Sequence, residues 1–217
     1  MRKVFISRNL KPSSPIRDVI ANNQLVAKSL IQFSALDFDT PQADWIFFYS
    51  RNGVKYFFEN GNYALYPYLW ACLSEGTADE LSHYVTDVSF VGNGSPEEVA
   101  QAYEHVINPE QVTCFVRAEN SLDSIKKRID QAQNFSIPAY RNTQIDEIPN
   151  EEFDILIFTS PMNVDAWFAK REYQDEKVIS IGETTADHLK TKYGITDIIV
   201  AAISSESSIA ESLGSLL

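Results

Sequence analysis

Asp44-Trp45-Ile46-Phe47-Phe48-Tyr49-Ser50-Arg51-Asn52-Gly53-Val54 decides how this chain folds, because Asp154-Ile155-Leu156-Ile157-Phe158-Thr159-Ser160-Pro161-Met162-Asn163-Val164 repeats its pattern 110 positions later. Each block is an apolar run of strand length, then a hydroxyl residue, then a helical pattern. Three further blocks keep step. Val4-Phe5-Ile6 matches Cys114-Phe115-Val116 at an offset of 110, Gly76-Thr77-Ala78-Asp79 matches Thr184-Thr185-Ala186-Asp187 at 108, and Val99-Ala100 matches Ile209-Ala210 at 110. Four matches in one order at nearly one spacing make the chain two copies of one unit. In each copy short apolar strands alternate with helical patterns, which implies parallel strands joined by right-handed crossovers with helices on both sheet faces. The expectation is an α/β fold of two doubly wound, flavodoxin-like lobes. Strands are expected near 3–7, 45–49, 69–73, 87–91, 112–117, 154–159, 177–181 and 197–201.

Helix starts carry local signals. Ser95-Pro96-Glu97-Glu98 combines a cap residue, proline at the first helical position and glutamate at the third, and Thr77-Ala78-Asp79-Glu80 reads as a second capping box. Two polar stretches, 34–42 and 136–150, carry Pro41, Pro138 and Pro149 and read as linkers. Neither lies at the midpoint near residue 108, where a simple tandem would be joined. With these as the crossings, 1–33 and 151–217 form one lobe, discontinuous in sequence, and 43–135 form the other. The linkers would run side by side as a two-stranded hinge, with the paired turns facing a cleft.

The 217 residues, 44% of them apolar, suffice for one large core or two small ones. A net charge of −12 with no dense basic cluster excludes a nucleic-acid partner. The opening Met1-Arg2-Lys3, followed by three apolar residues before Ser7, is too short for a secretion signal, and no later run reaches membrane-spanning length. These readings lead us to expect a cytoplasmic protein with no membrane partner. Cys72 and Cys114 lie in apolar runs without ligand-spaced neighbours and read as reduced core residues, with no metal site. His83, His105 and His188 read as solvated or locally paired, and the aromatic run from Tyr56 through Phe57, Phe58, Tyr63, Tyr66, Tyr68 and Trp70 as packing. No Walker loop, dinucleotide glycine fingerprint or Ser/His/Asp spacing is present.

In open parallel sheets, ligands bind beyond the carboxyl ends of strands, where helix N-termini present free amides. The duplicated turns at Ser50, Asn52, Thr77, Ser160, Thr184 and Thr185 lie there, and such turns suit a carboxylate or phosphate. Each hydroxyl has a second reading as a plain helix cap. Arg8 and Arg117 follow the first strand of each copy and could pair with an acid group of a ligand or with a surface carboxylate. Tyr140, within the second linker, would reach the cleft at a hinge or else pack against a lobe.

The order of these blocks resembles the uroporphyrinogen-III synthase family: a first strand ending in Arg8, then Asp44 through Val54, Glu75-Gly76-Thr77-Ala78, Tyr140 with Thr143, Phe158-Thr159-Ser160-Pro161, and Ile181-Gly182-Glu183-Thr184-Thr185-Ala186. The resemblance covers nearly the whole chain. Departures are Tyr49 for threonine, Gly53 for alanine and Ser74 for glycine, which put the shape of the first lobe's turns in question. The resemblance implies a cofactor-free, monomeric lyase of tetrapyrrole (haem) biosynthesis acting on hydroxymethylbilane. Loss of water from ring A gives an azafulvene; ring D then attacks through its substituted α-carbon, and a spiro intermediate recloses with ring D inverted. It further implies Tyr140 as the acid assisting hydroxyl departure, with the turns at Arg8, Ser50, Asn52, Thr77, Arg117, Ser160, Thr184 and Thr185 gripping side-chain acids. The alternatives are a cytosolic, non-catalytic two-lobed small-anion-binding protein, or a regulatory module using the lobes as scaffold.

Overall fold

A computed structural model describes residues 1–20, 22–60, 66–121, 123–129 and 133–217; Tyr63 of the aromatic run lies outside them. In chain order the elements are β1 (Lys3–Ile6), α1 (Pro15–Ile20), β2 (Gln24–Ala27), β3 (Ile31–Ala35), β4 (Trp45–Phe48), α2 (Arg51–Glu59), β5 (Leu69–Cys72), α3 (Glu75–Leu81), β6 (Phe90–Val91), α4 (Pro96–Glu104), β7 (Thr113–Ala118), a 3-10 turn at Lys126–Arg128, β8 (Asn134–Gln144), β9 (Ile155–Phe158), α5 (Pro161–Phe168), β10 (Lys177–Ser180), α6 (Glu183–Tyr193), β11 (Ile198–Val200) and α7 (Glu206–Gly214). The chain divides into two compact units, unit 1 comprising Met1–Gln32 with Thr143–Leu217 and unit 2 comprising Phe33–Asn142.

Unit 1 holds a sheet of order β11-β10-β9-β1-β2, parallel at every pair. Unit 2's sheet, from its far edge, runs β6-β5-β4-β7-β8, also parallel, with β3 beyond β8. The two orders superpose if β9 stands for β4, β10 for β5, β11 for β6, β1 for β7 and β2 for β8. Register agrees as well: Lys3 pairs with Gln24, and Thr113 pairs with Asn134, each residue shifted by 110. Each unit therefore combines strands from both sequence copies.

Successive strand residues point to opposite faces, so near-continuous apolar runs feed two cores per sheet. In unit 1, Phe5, Leu156, Phe158 and Trp167 pack on one face, while Val4, Ile6, Ile155, Ile157 and Leu213 pack on the other. In unit 2, Ile46, Phe48, Cys72, Cys114 and Tyr140 oppose Trp45, Phe47, Tyr103 and Phe115. The repeated aspartates have a structural cause. Asp44 Oδ2 accepts from the Val112 amide at 2.8 Å, and Asp154 Oδ2 accepts from the Lys3 amide at 2.7 Å, fixing the start of the neighbouring strand in each unit.

Ser95 caps α4 in a complete capping box. Thr77 does not cap: α3 begins two residues earlier behind Ser74, so Thr77 is its third residue and is buried. Strand β2 runs where no strand was expected, whereas β3 and β8 lie side by side at the beginnings of the two stretches expected to be extended linkers. The latter part of β3 is exposed, and β8 carries Pro138 at a bulge where Ala118 skips to pair with Tyr140, the kind of strand position that tolerates proline.

Candidate functional site

At the carboxyl end of unit 2's sheet, β4 runs through Tyr49 into Ser50, whose extended backbone (φ −160°, ψ 162°) makes it the N-cap of α2. Its Oγ accepts from the Gly53 amide at 3.1 Å and lies 3.0 Å from Tyr140 Oη. Tyr140 is 7% exposed, stacked on Tyr56 with ring centroids 5.5 Å apart and met edge-on by Phe33 at 5.9 Å. Burial pushes the phenol above its ordinary range, with the Ser50 hydrogen bond pulling the other way and Tyr56 adding to the rise. Tyr140 therefore remains a neutral O–H at physiological pH, able to donate a proton or a hydrogen bond.

The Tyr49 side chain, which replaces threonine, turns inward: its ring meets Phe47 and Phe115, and its oxygen accepts from the Lys126 amide at 2.9 Å. Burial raises that phenol to about 12. The cap is unaffected, because Ser160 in the second block has nearly the same backbone (φ −167°, ψ 156°) behind a threonine. An alanine at Gly53 would meet only ordinary contacts at 3.5 Å or more, so this departure also leaves the turn intact.

Thr77 Oγ1 lies 3.3 Å from Ser74 Oγ beneath the α3 N-terminus. The first amides of α2 and α3, at Arg51, Asn52, Glu75 and Gly76, have no acceptor within their helices. Arg117 is engaged by its own loop, with Nη1 donating to the Ala118 and Glu119 carbonyls at 2.9 and 2.6 Å and Nε 3.2 Å from Asp123 Oδ1. In sequence Tyr56 read only as packing and Arg51 only as part of the first duplicated turn; neither was expected at the site. Arg51 Nε donates to the Gly76 carbonyl at 2.7 Å, a contact spanning 25 positions that no spacing rule connects.

In unit 1 the same end of the sheet is built differently. Thr159 and Ser7 are tied by mutual hydrogen bonds, the Thr159 amide to Ser7 Oγ at 2.9 Å and Thr159 Oγ1 to the Ser7 carbonyl at 3.0 Å. Ser160 caps α5 and also accepts from Asn163 Nδ2 at 2.9 Å, while Asn163 Oδ1 accepts from the Leu30 amide at 2.8 Å. Pro161 supplies no amide, so this turn offers fewer free donors than its partner at Ser50. Gly182 is the N-cap of α6; Thr185 is buried, and Thr184 is exposed. Arg8 reaches Glu206 Oε1 at 3.5 Å, whose other oxygen accepts from Ser14 at 2.6 Å.

Among the described residues no three His, Cys, Asp or Glu side chains cluster as metal ligands, and no helix is long and apolar enough to cross a membrane. Each unit thus presents hydroxyls and helix N-terminal amides beyond the carboxyl ends of its strands, a surface suited to carboxylates.

Comparison with known proteins agrees with this architecture. The structure is similar over its whole length to the uroporphyrinogen-III synthetase of Helicobacter pylori 26695, with TM-score 0.71, 22% identity and 100% of both chains covered. It is also similar to a mutant uroporphyrinogen III synthase of the extremely thermophilic bacterium Thermus thermophilus, with TM-score 0.62, 15% identity and coverage of 100% of this chain and 99% of that one. At such identities the likeness concerns the fold. A search of curated proteins finds no match to the sequence. The family model described as uroporphyrinogen-III synthase HemD matches residues 23–211. That match spans most of the sequence, and the chain belongs to the uroporphyrinogen-III synthase family.

Proposed function

We propose that the carboxyl-end turns of both units hold the acid side chains of hydroxymethylbilane, and that Tyr140 assists the departure of its hydroxyl. The family's reaction is a cyclising dehydration in tetrapyrrole biosynthesis. Because the bilane closes unaided without inverting ring D, holding one fold of the chain matters more than activating bonds. The observation that carries the reading is the Ser50 Oγ to Tyr140 Oη contact of 3.0 Å at the N-cap of α2. When Ser50 donates to Tyr140, the phenolic proton is free to point at the leaving hydroxyl. As water departs, that proton can transfer, and the Ser50 hydrogen bond stabilises the oxygen left behind.

The turns at Ser50, Asn52, Thr77, Ser160, Thr184 and Thr185, with Arg8, supply the grip. Apart from Arg8, this grip comes from backbone amides, which reconciles a polyanionic substrate with a net charge of −12. Arg117, occupied by Ala118, Glu119 and Asp123, shapes its loop in this scheme. The protein acts as a cytoplasmic monomer. The test is to mix the protein with freshly prepared hydroxymethylbilane and identify the uroporphyrin isomer after oxidation. The III isomer is expected. The I isomer alone would overturn the reading, and anion-dependent thermal stabilisation without turnover would favour a binding protein.

A further inference from the structure

We infer that Arg51 binds one carboxylate of the linear tetrapyrrole in unit 2, an inference that rests on the carboxyl-end site proposed above. Arg51 is the first residue of α2, and its side chain is directed across to α3, where Nε donates to the Gly76 carbonyl at 2.7 Å. That bond uses one of the five guanidinium donors and sets the plane of the rest. Arg8, Arg117, Arg128 and Arg141 each pair with a carboxylate. Arg51 makes no such pair among the described residues, and neither do Arg2, Arg17 and Arg171, which donate to backbone carbonyls; of these four, Arg51 is the one that stands at a carboxyl-end turn, in a protein with twelve more acidic than basic charges.

The place of the guanidinium depends on a glycine. A Cβ at Gly76 would lie 2.6 Å from Arg51 Nη2, so any other residue displaces it. Gly76 also lines a crevice of about 350 Å³ together with Ser74, Glu75, Gly92 and Gly94. Gly92 is fixed by packing, since a Cβ there would meet the Leu73 carbonyl at 2.5 Å. Arg51 does not line the crevice itself but is held against Gly76, which does, and a planar cation fixed in this way suits bidentate capture of a carboxylate. Glu75 lines the same crevice without pairing with Arg51, so it disfavours anions and limits the affinity.

Four variants test this: Arg51→Leu, Arg51→Lys, Gly76→Ala and the double variant Arg51→Leu/Gly76→Ala, each assayed for KM, kcat and isomer III yield with fresh hydroxymethylbilane. Arg51→Leu is expected to raise KM about tenfold with kcat within about twofold, the signature of lost uniform binding. Gly76→Ala, an exchange for a better helix former, should raise KM similarly by displacing the guanidinium. The double variant should be no worse than Arg51→Leu, and Arg51→Lys should fall between wild type and Arg51→Leu. If Arg51→Leu fails to fold, Gly76→Ala carries the test. An unchanged KM in Arg51→Leu, or in Gly76→Ala where that variant stands alone, or additive losses in the double variant, overturns the inference. Wild-type protein yielding only the I isomer would instead overturn the reading on which it rests.

Discussion

Tyr140 and Leu30 stand 110 positions apart at matching places in the two units, yet one ends in a phenol and the other in methyl groups. The difference is accommodated by the residue inside each facing helix. Gly53 leaves the Ser50 hydroxyl open to Tyr140, whereas Asn163 takes up the Ser160 hydroxyl and reaches the Leu30 backbone. Tyr140→Phe is expected to lower kcat by about 10- to 100-fold while the product stays mainly isomer III, because general acids contribute at about this scale and above while folding of the bilane is left to the turns. Full kcat in that variant would remove Tyr140 from the chemistry. Since burial raises this phenol above its ordinary value of 10.0, the protonated form persists through the neutral range. The kcat profile should therefore show no alkaline limb from Tyr140 below about pH 10, which a pH-rate series checks. Ser50→Ala should cost about 1 kcal/mol of stability through the lost cap, read by denaturant midpoint, and should also lower kcat. Ser50 was legible as a cap from its own neighbours, but its meeting with Tyr140 was not, because 90 residues of strand order and register separate them.

Strands with buried apolar faces could be read from the sequence because every residue of β4 and β9 is buried, as are three of the four residues of β1 and of β10. Strand β2 could not, since it has no fully buried residue and no turn signals set it off, and β3 and β8 were legible only as extended linkers, because β3 is mostly exposed and β8 is interrupted by Pro138. Pairing with a neighbour, not burial of alternate residues, holds them extended. Helix pairing follows a similar division. Asp165 on α5 accepts from His188, Lys192 and Tyr193 of α6 at 2.7, 2.9 and 2.8 Å, and no periodicity announces a carboxylate shared in this way. Burial alone would raise that carboxyl, but the three donors outweigh it and hold it below the usual range. A depressed carboxyl stabilises the fold above the unfolded value of about 3.9 and loses that contribution as pH falls through the folded value. Asp165→Asn should thus cost about 1–2 kcal/mol at neutral pH, and the difference from wild type should shrink below about pH 4 in urea titrations.

Across the whole molecule the two cysteines report on one unit only. Cys72 and Cys114 are both fully buried in unit 2, and burial raises the Cys72 thiol to about 11 and Cys114 further still. Neither should react with a thiol reagent at pH 8 in the folded protein, and both should become reactive in one step when unit 2 unfolds. Alkylation of either cysteine alone under native conditions would contradict the placement of β5 and β7. The mixed parentage of the two sheets has a consequence for biosynthesis. Unit 2 is continuous, so its strands leave the ribosome in sequence and can pair as they emerge. The opening strands β1 and β2 need β9, which begins at Ile155. At about 5–20 residues per second, translation leaves β1 waiting for roughly 8–30 s with the β9-facing edge of Val4, Phe5 and Ile6 unpaired. The nascent chain thus carries an uncovered apolar strand through much of the synthesis of unit 2, a defined stretch for a ribosome-associated chaperone to shield.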